Sequence, residues 1–152
     1  MQQGPNIFYL VGGFLAGFVV LWYGVLWLSA TVSGWWRLAA RFASTTLFQG
    51  EITSFVTARI RVANYSGVLN LGASDLGIYL VPIWLFRPSH APLFIPWSEI
   101  EAVVREGTIW TWRSVYVTFP SLPRTSITLF GRAVDRVRPY VDRKGEGASL
   151  VP

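Results

Sequence analysis

The first 36 residues of the chain carry no charged side chain, and a long apolar stretch runs through them. Ile7 to Ala30 is interrupted only by glycines, two tyrosines and Ser29. A helix over these residues is about 36 Å long at about 1.5 Å per residue, enough to cross a hydrocarbon core of about 30 Å. The pattern predicts that residues 1–36 form a transmembrane anchor.

A cleaved secretory signal is the alternative interpretation of this stretch. Such a signal begins with basic residues and has an apolar run of about 7 to 15 residues. Here the flank is uncharged and the run is longer, so we expect an anchor that is retained. Arg37 and Arg41 follow the span, whereas no basic side chain precedes it. The positive-inside rule therefore predicts a single-pass protein of the inner (cytoplasmic) membrane, with the N-terminus outside and the C-terminal domain in the cytoplasm.

Helical periodicity continues into residues 37–48, which we interpret as a juxtamembrane helix and linker. Trp35, Trp36, Arg37 and Arg41 are predicted to mark the membrane surface. Aromatic rings prefer the headgroup region, and arginine side chains extend outward from it. An ordinary helix end, with its arginines beside the last carbonyl groups, explains the same residues equally well.

From Gln49 onward the hydrophobic period changes from 3.6 to 2, which is typical of strands. Turn sequences are predicted at residues 64–67 and 74–77. A short helix interrupted near Pro139 is predicted after the strands, and residues 143–152 form a tail. The predicted strands, in chain order, are Val56 to Val62, Val68 to Leu71, Ile78 to Phe86, Leu93 to Trp97, Ile100 to Val104, Thr108 to Phe119 and Ser126 to Phe130. About seven short strands followed by one helix favour a small antiparallel barrel or sandwich closed by that helix.

Two phrases in the middle strands, GIYL at residues 77–80 and PLFIPW at residues 92–97, carry a resemblance. About residues 50–142, within a domain predicted over residues 49–142, resemble the soluble part of small bacterial membrane-anchored proteins with a pleckstrin-homology-like (PH-like) domain. The resemblance implies a mainly β fold of about seven antiparallel strands with a C-terminal helix. It implies no activity, because such domains bind lipids, peptides and proteins alike.

The residues that support catalysis are few. The chain has no cysteine and one histidine, His90, in a turn bracketed by prolines. One histidine without cysteines or a carboxylate cluster makes no convincing metal site, so we expect His90 to be a solvated turn residue. Glu99 and Glu101, with Arg105, are interpreted as a charge-balanced strand face rather than an acid–base pair. We expect a protein that is not an enzyme and has no metal, cofactor or small-molecule substrate.

Charge and aromatic residues bear on the partner. The net charge of +5 is a mild basic bias, and no recognition helix or zinc spacing accompanies it, so nucleic acid is not the expected partner. Gly13, Gly17 and Gly24 form a stripe along the span, which permits close approach of a second helix. The chain is rich in aromatic residues, with eight tryptophans. They indicate either a binding surface for a protein partner or a larger hydrophobic core than usual. The residues predicted to bind a protein partner are Trp84, Phe86, Phe94, Trp110 and Trp112.

These features predict a non-catalytic accessory or assembly subunit of a larger integral membrane complex, of a respiratory or photosynthetic type. The expected partners are other integral membrane subunits and membrane lipids. The alternative is a membrane-tethered module that binds lipid headgroups, although its basic residues lie on two elements distant in sequence. The candidate headgroup contacts are Arg59, Arg61, Arg132, Arg136 and Arg138.

Overall fold

The structure, a computed structural model, describes residues 6–46, 48–105 and 113–148. Two 3₁₀ helices span Trp84–Ser89 and Trp97–Glu99. The helices are α1 (Ile7–Ser33), α2 (Trp35–Phe42) and α3 (Arg132–Ala148). The strands are β1 (Ile52–Ile60), β2 (Ala63–Ser74), β3 (Gly77–Pro82), β4 (Leu93–Pro96), β5 (Glu101–Arg105), β6 (Ser114–Thr118) and β7 (Ser126–Phe130).

The first helix is long and apolar enough to cross a membrane by its length and composition. It ends at Gly34, whose backbone has a left-handed φ of 76° and whose N–H bonds to the carbonyls of Ala30 and Thr31. Glycine adopts this conformation at low cost, which is why helices often end at one. α2 begins at the next residue, so the chain changes direction there without a linker.

Seven antiparallel strands form one curled sheet in the order β4-β3-β2-β1-β7-β6-β5. The first and last strands are neighbours, because Thr57 to Ile60 pair with Ile127 to Phe130. α3 packs across β1, β2, β5, β6 and β7, and buries Ala133, Val134 and Val137 against them. The predicted N-terminal helix, mainly β domain and C-terminal helix are confirmed at this level.

The hydrophobic core includes side chains of α1 and α2, which precede the sheet in the chain. Trp35, Leu38 and Phe42 of α2 join the buried residues of the strands and of α3 in one cluster. Ala30, near the end of α1, belongs to the same cluster. α2 is therefore a structural part of the β domain, and the end of α1 packs directly on it.

The predicted turn at residues 64–67 is wrong. β2 runs through these residues, and the reversal occurs at Arg61 and Val62 instead. Val62, predicted to end the first strand, is 69% exposed, because it lies in that turn. Gly67 has a positive φ of 66° at an irregularity of the β1–β2 pairing, where its N–H bonds to Thr57 Oγ1. The turn-like residues thus form a bulge, as glycine often does inside a strand. The turn at residues 74–77 is confirmed.

Two other boundaries differ from the predicted ones. The strand predicted to reach Phe86 ends at Pro82, and a 3₁₀ helix containing Pro88 follows. α3 continues through Pro139 to Ala148, so the helix is not interrupted at Pro139, and residues 143–148 of the predicted tail belong to it. Proline removes only its own N–H from the helix, so the single bond to the Asp135 carbonyl is lost and the helix continues on either side of Pro139. The first five residues of the strand predicted from Thr108 to Phe119 lie outside the described residues, and β6 covers most of the remainder.

Candidate functional site

The C-terminal half of α1 is docked on the β domain. Leu26, Ala30 and Ser33 are buried along one face of the helix. One turn earlier, the Trp22 ring meets Phe86 of the first 3₁₀ helix edge-on, with ring centroids 5.6 Å apart. The candidate span and the domain therefore share an interface that extends from Trp22 to the end of the helix.

A buried polar group, which we name the junction cluster, closes this interface: Ser33, Trp35, Tyr65 and His90. The Tyr65 hydroxyl lies 2.9 Å from both Ser33 Oγ and His90 Nε2. The Trp35 indole N–H donates to the Ala91 carbonyl at 3.0 Å, and its ring lies edge-on to His90. The cluster joins α1, α2, β2 and the loop after the first 3₁₀ helix.

Two predictions about these residues are wrong. Trp35, predicted to mark the membrane surface, is fully buried in the domain core. His90, predicted to be a solvated turn residue, is also fully buried. Both burials are possible because each polar atom finds a partner, which removes most of the cost of leaving water. Trp36 and Arg37 are exposed, and Arg41 is exposed beside Glu99.

The protonation of His90 follows from its partners. Its Nδ1 lies 3.2 Å from the Phe86 carbonyl, which can only accept, so Nδ1 carries the proton. Burial lowers the pKa of the His90 imidazole below its ordinary value, and the bond to Phe86 opposes part of that effect. Burial raises the pKa of the Tyr65 hydroxyl. The cluster is therefore neutral at pH 7.

We expect the folded protein to lose stability when the pH falls from about 7.5 to 5.5. The unfolded chain binds a proton at His90 near pH 6.5, whereas the folded chain binds it only at lower pH, so acid favours the unfolded state in that window. One proton contributes at most about 1.4 kcal/mol per pH unit. Thermal unfolding in detergent measures it, and His90→Asn is the control that should remove the slope. A midpoint that is flat from pH 7.5 to 5.5 would contradict the neutral cluster.

An apolar groove lies between α1 and the first 3₁₀ helix, next to the Trp22–Phe86 contact. We name it the anchor groove; its volume is about 550 Å³. Trp84 on its wall is 77% exposed, although it is one of the largest apolar side chains. Its lining consists of Phe18, Val19, Trp22 and Tyr23 from α1, and Trp84, Leu85 and Pro88 from the 3₁₀ helix.

The predicted partner-binding aromatics do not form one band. Trp84 and Phe86 lie beside α1, at the anchor groove. Phe94 lines a different cavity, together with Arg41 and Glu99. Trp110 and Trp112 lie outside the described residues. Trp84 and Phe94 therefore line two different cavities, and the prediction that these side chains bind a protein partner stays a prediction.

The predicted headgroup arginines are divided between a cavity, ion pairs and the hairpin turn. Arg59 and Arg132 line one open cavity of about 500 Å³ with Phe55. They were expected to be distant, but β1 pairs with β7 and α3 starts just after β7. Arg136 pairs with Glu51 at 2.7 Å, and Arg138 pairs with Asp142 at 3.4 Å. The stem of Arg61 lies beside Gly34, at the junction.

The prediction that the carboxylates of Glu99 and Glu101 share one strand face is wrong. Glu99 lies in the second 3₁₀ helix, whereas Glu101 begins β5, so they share no strand face. Glu99 accepts from Arg41 at 3.0 Å and from Ser121 at 2.7 Å. These bonds hold the pKa of its carboxyl below the usual range. The Arg105 side chain lies outside the described part. Among the residues described, no three His, Asp or Glu side chains come together as a metal site.

The predicted glycine stripe faces away from the domain. At about 100° per residue, Gly13, Gly17 and Gly24 lie about 140° to 180° around α1 from Leu26. A Cβ atom added at any of the three would meet nothing within 4 Å. The helix therefore has one face occupied by the domain and an opposite face open to close approach.

Comparisons with models of protein families, with curated proteins and with solved structures gave no match. The class is therefore defined by the fold alone: a long apolar N-terminal helix docked on a curled seven-stranded antiparallel sheet with a C-terminal helix. The likeness of this sheet to a PH-like domain stays a prediction.

Proposed function

We propose that the protein is a single-pass membrane protein that acts as a non-catalytic accessory or assembly subunit of a larger integral membrane complex. Its β domain, which we interpret as PH-like, would be held against the membrane by its own anchor. A respiratory or photosynthetic assembly is the host class to test first. One observation carries the proposal: α1 uses one face for its own domain and leaves the glycine face open.

The two faces have different chemistry. The domain-facing side presents Leu26, Ala30 and Ser33, which are buried in the chain itself. The opposite side presents glycines, whose missing side chains let a neighbouring helix backbone approach closely. In lipid such packing, rather than hydrophobicity, stabilises helix pairs. This arrangement suits a subunit whose domain is fixed in position while its span docks on another subunit.

We expect leucine at Gly13 and Gly17 to release the protein from its partners without preventing insertion, because leucine blocks close approach yet inserts well. Gly12→Leu is the matched control, since Gly12 lies next to Gly13 but about 100° away around the helix. Mass spectrometry of chains that co-purify in mild detergent measures the effect. Identical partner sets for the wild type and the double variant would show that this face binds no helix.

The domain is placed on the cytoplasmic side in this proposal. Arg37 is exposed just after the span, and Arg41 is held beside Glu99. Basic residues close to a span are retained in the cytoplasm. We expect protease added to sealed spheroplasts to leave the domain intact and to remove it once the membrane is opened. Removal before opening would reverse the topology.

A headgroup-binding module is the second candidate, and the shared cavity of Arg59 and Arg132 favours it. Neither guanidinium has an ion-pair partner within the described part of the chain, so both are available to an anionic phosphate. The same purification distinguishes the two functions. A headgroup-binding module would elute with anionic lipid and without stoichiometric protein partners.

A further inference from the structure

We infer that the first 3₁₀ helix, Trp84–Ser89, is immersed in the hydrocarbon of the bilayer beside α1, and that lipid acyl chains fill the anchor groove. The β domain would then be attached to the membrane at two points, the span and this short helix. The inference rests on the proposed membrane span, and it assigns the exposed aromatic wall of the groove to lipid rather than to a protein.

The position of the groove along α1 gives the first argument. At about 1.5 Å per residue, a hydrocarbon core of about 30 Å that begins at Ile7 extends to about Trp27. It cannot begin much earlier, because Gln2, Gln3 and Asn6 precede the apolar run. The groove-lining residues 18–23 then lie about 6 to 14 Å inside the boundary on the domain side. A tilted helix needs more residues to cross, which places the groove deeper.

The 3₁₀ helix must share this depth, because it contacts α1 at the same level. The Phe86 ring touches Trp22, and Trp84 lines the same groove as Phe18. If the groove lay outside the bilayer, the boundary would be at its N-terminal end, and the span left clear of the domain would be residues 7–17, only about 16 Å long. That length is far too short to cross a bilayer, so the domain and the bilayer must overlap along α1.

The surface of this segment has the composition that immersion requires. Between Asp75 and Glu99 the only charged side chain is Arg87. Trp84 and Leu85 are exposed, and they extend the exposed apolar surface of Phe18 and Val19 without a polar break. Apolar patches of this kind are seldom left in water. Arg87 is exposed, and its long stem can carry the guanidinium toward the headgroups.

Backbone groups at both ends of the segment have internal hydrogen bonds, which an environment without water requires. The N–H of Ile83 donates to Val68, that of Phe86 to Ile83 and that of His90 to Arg87, at 2.9 to 3.1 Å. The Phe86 carbonyl accepts a hydrogen bond from the Nδ1–H of His90. Pro88 has no N–H to satisfy. The buried junction cluster thus supplies polar partners where the chain leaves the membrane.

Spin labels at single cysteines test the inference, because the chain has no native cysteine. Leu85→Cys reports on the groove, Val20→Cys on the lipid-facing side of α1, and Leu76→Cys on the β2–β3 turn. Leu76 is a matched control, since it is 76% exposed but lies at the opposite end of β3. The full-length protein is placed in vesicles of phosphatidylcholine and phosphatidylglycerol. Collision with oxygen, which enters hydrocarbon, is compared with collision with a water-soluble nickel chelate.

We expect the label at position 85 to behave like that at position 20, with strong oxygen and weak nickel accessibility, and position 76 to show the reverse. If position 85 behaves like position 76 while position 20 is in lipid, the 3₁₀ helix is in water and only the span is supported. If position 20 is also in water, the proposed span itself fails. A label at position 85 shielded from both reagents would assign the groove to protein. Trp84→Cys repeats the measurement if Leu85→Cys alters the circular dichroism.

Discussion

Replacing Trp35 with alanine will destabilise the β domain by about 3 to 5 kcal/mol, the range for large buried aromatic side chains. The ring is fully buried, contacts Tyr65 and His90, and leaves the Ala91 carbonyl without its donor when it is removed. A loss of this size is a large share of the stability of a small domain. We expect the midpoint of thermal unfolding in detergent to fall by more than about 10 °C.

Trp36 is the matched control for this change, because it is the next residue and the same side chain. It is 46% exposed on the other side of α2, so Trp36→Ala should cost less than about 1 kcal/mol. Equal losses for the two variants would mean that α2 is not packed as described. A larger loss of stability for Trp36→Ala than for Trp35→Ala would mean that Trp36 is the buried residue and that Trp35 lies at the membrane surface, as the sequence predicted.

The contrast between these tryptophans shows what sequence periodicity can and cannot predict. The spacing of Trp35, Leu38 and Phe42 predicts an apolar helix face, and that face exists. Periodicity does not state what covers the face, and a bilayer and a domain core are equally apolar covers. The decision depends on strands that follow much later in the chain, so local pattern alone assigned Trp35 to the membrane surface.

The junction cluster was beyond sequence reasoning for a related reason. Ser33, Tyr65 and His90 lie on three separate elements, and no spacing rule connects them. A lone histidine between turn residues is most often solvated. Its burial here is possible only because residues distant in sequence supply hydrogen-bond partners for the imidazole. One signal was present, because a polar Ser33 at the end of an apolar helix needs a partner if it is buried. That signal becomes informative only when the burial is known.

Strand number and strand pairing also differ in how far they could be predicted. Alternation of apolar and polar residues predicts each strand separately, and Ser126 to Phe130 was placed with the observed bounds. Pairing depends on the register between segments distant in sequence, which alternation does not specify. The β1–β7 pairing is what brings Arg59 and Arg132 to one cavity. The cavity was therefore missed although both arginines were named.

The docking of α1 on the domain makes the proposed membrane helix part of the stability of the β domain, and a leucine pair tests this. Leu26 is 1% exposed and faces the domain, whereas Leu28 is 56% exposed. Leu26→Ala should cost about 2 kcal/mol, near the low end of the range for buried leucines. The low end applies because the undocked face would meet detergent or lipid rather than water, so lost packing remains as the main cost.

Thermal unfolding of the strands, followed by circular dichroism in detergent, measures this prediction. Leu26→Ala should lower the midpoint by roughly 10 °C, because about 1 kcal/mol shifts a domain of this size by about 4 to 8 °C. Leu28→Ala, the same change two residues away on the exposed side, should leave it within about 2 °C. If both variants unfold with the wild type, α1 is only a tether and the domain folds independently of it. A shift confined to Leu26 shows that the anchor and the domain unfold as one unit, which is what a rigid docking subunit requires.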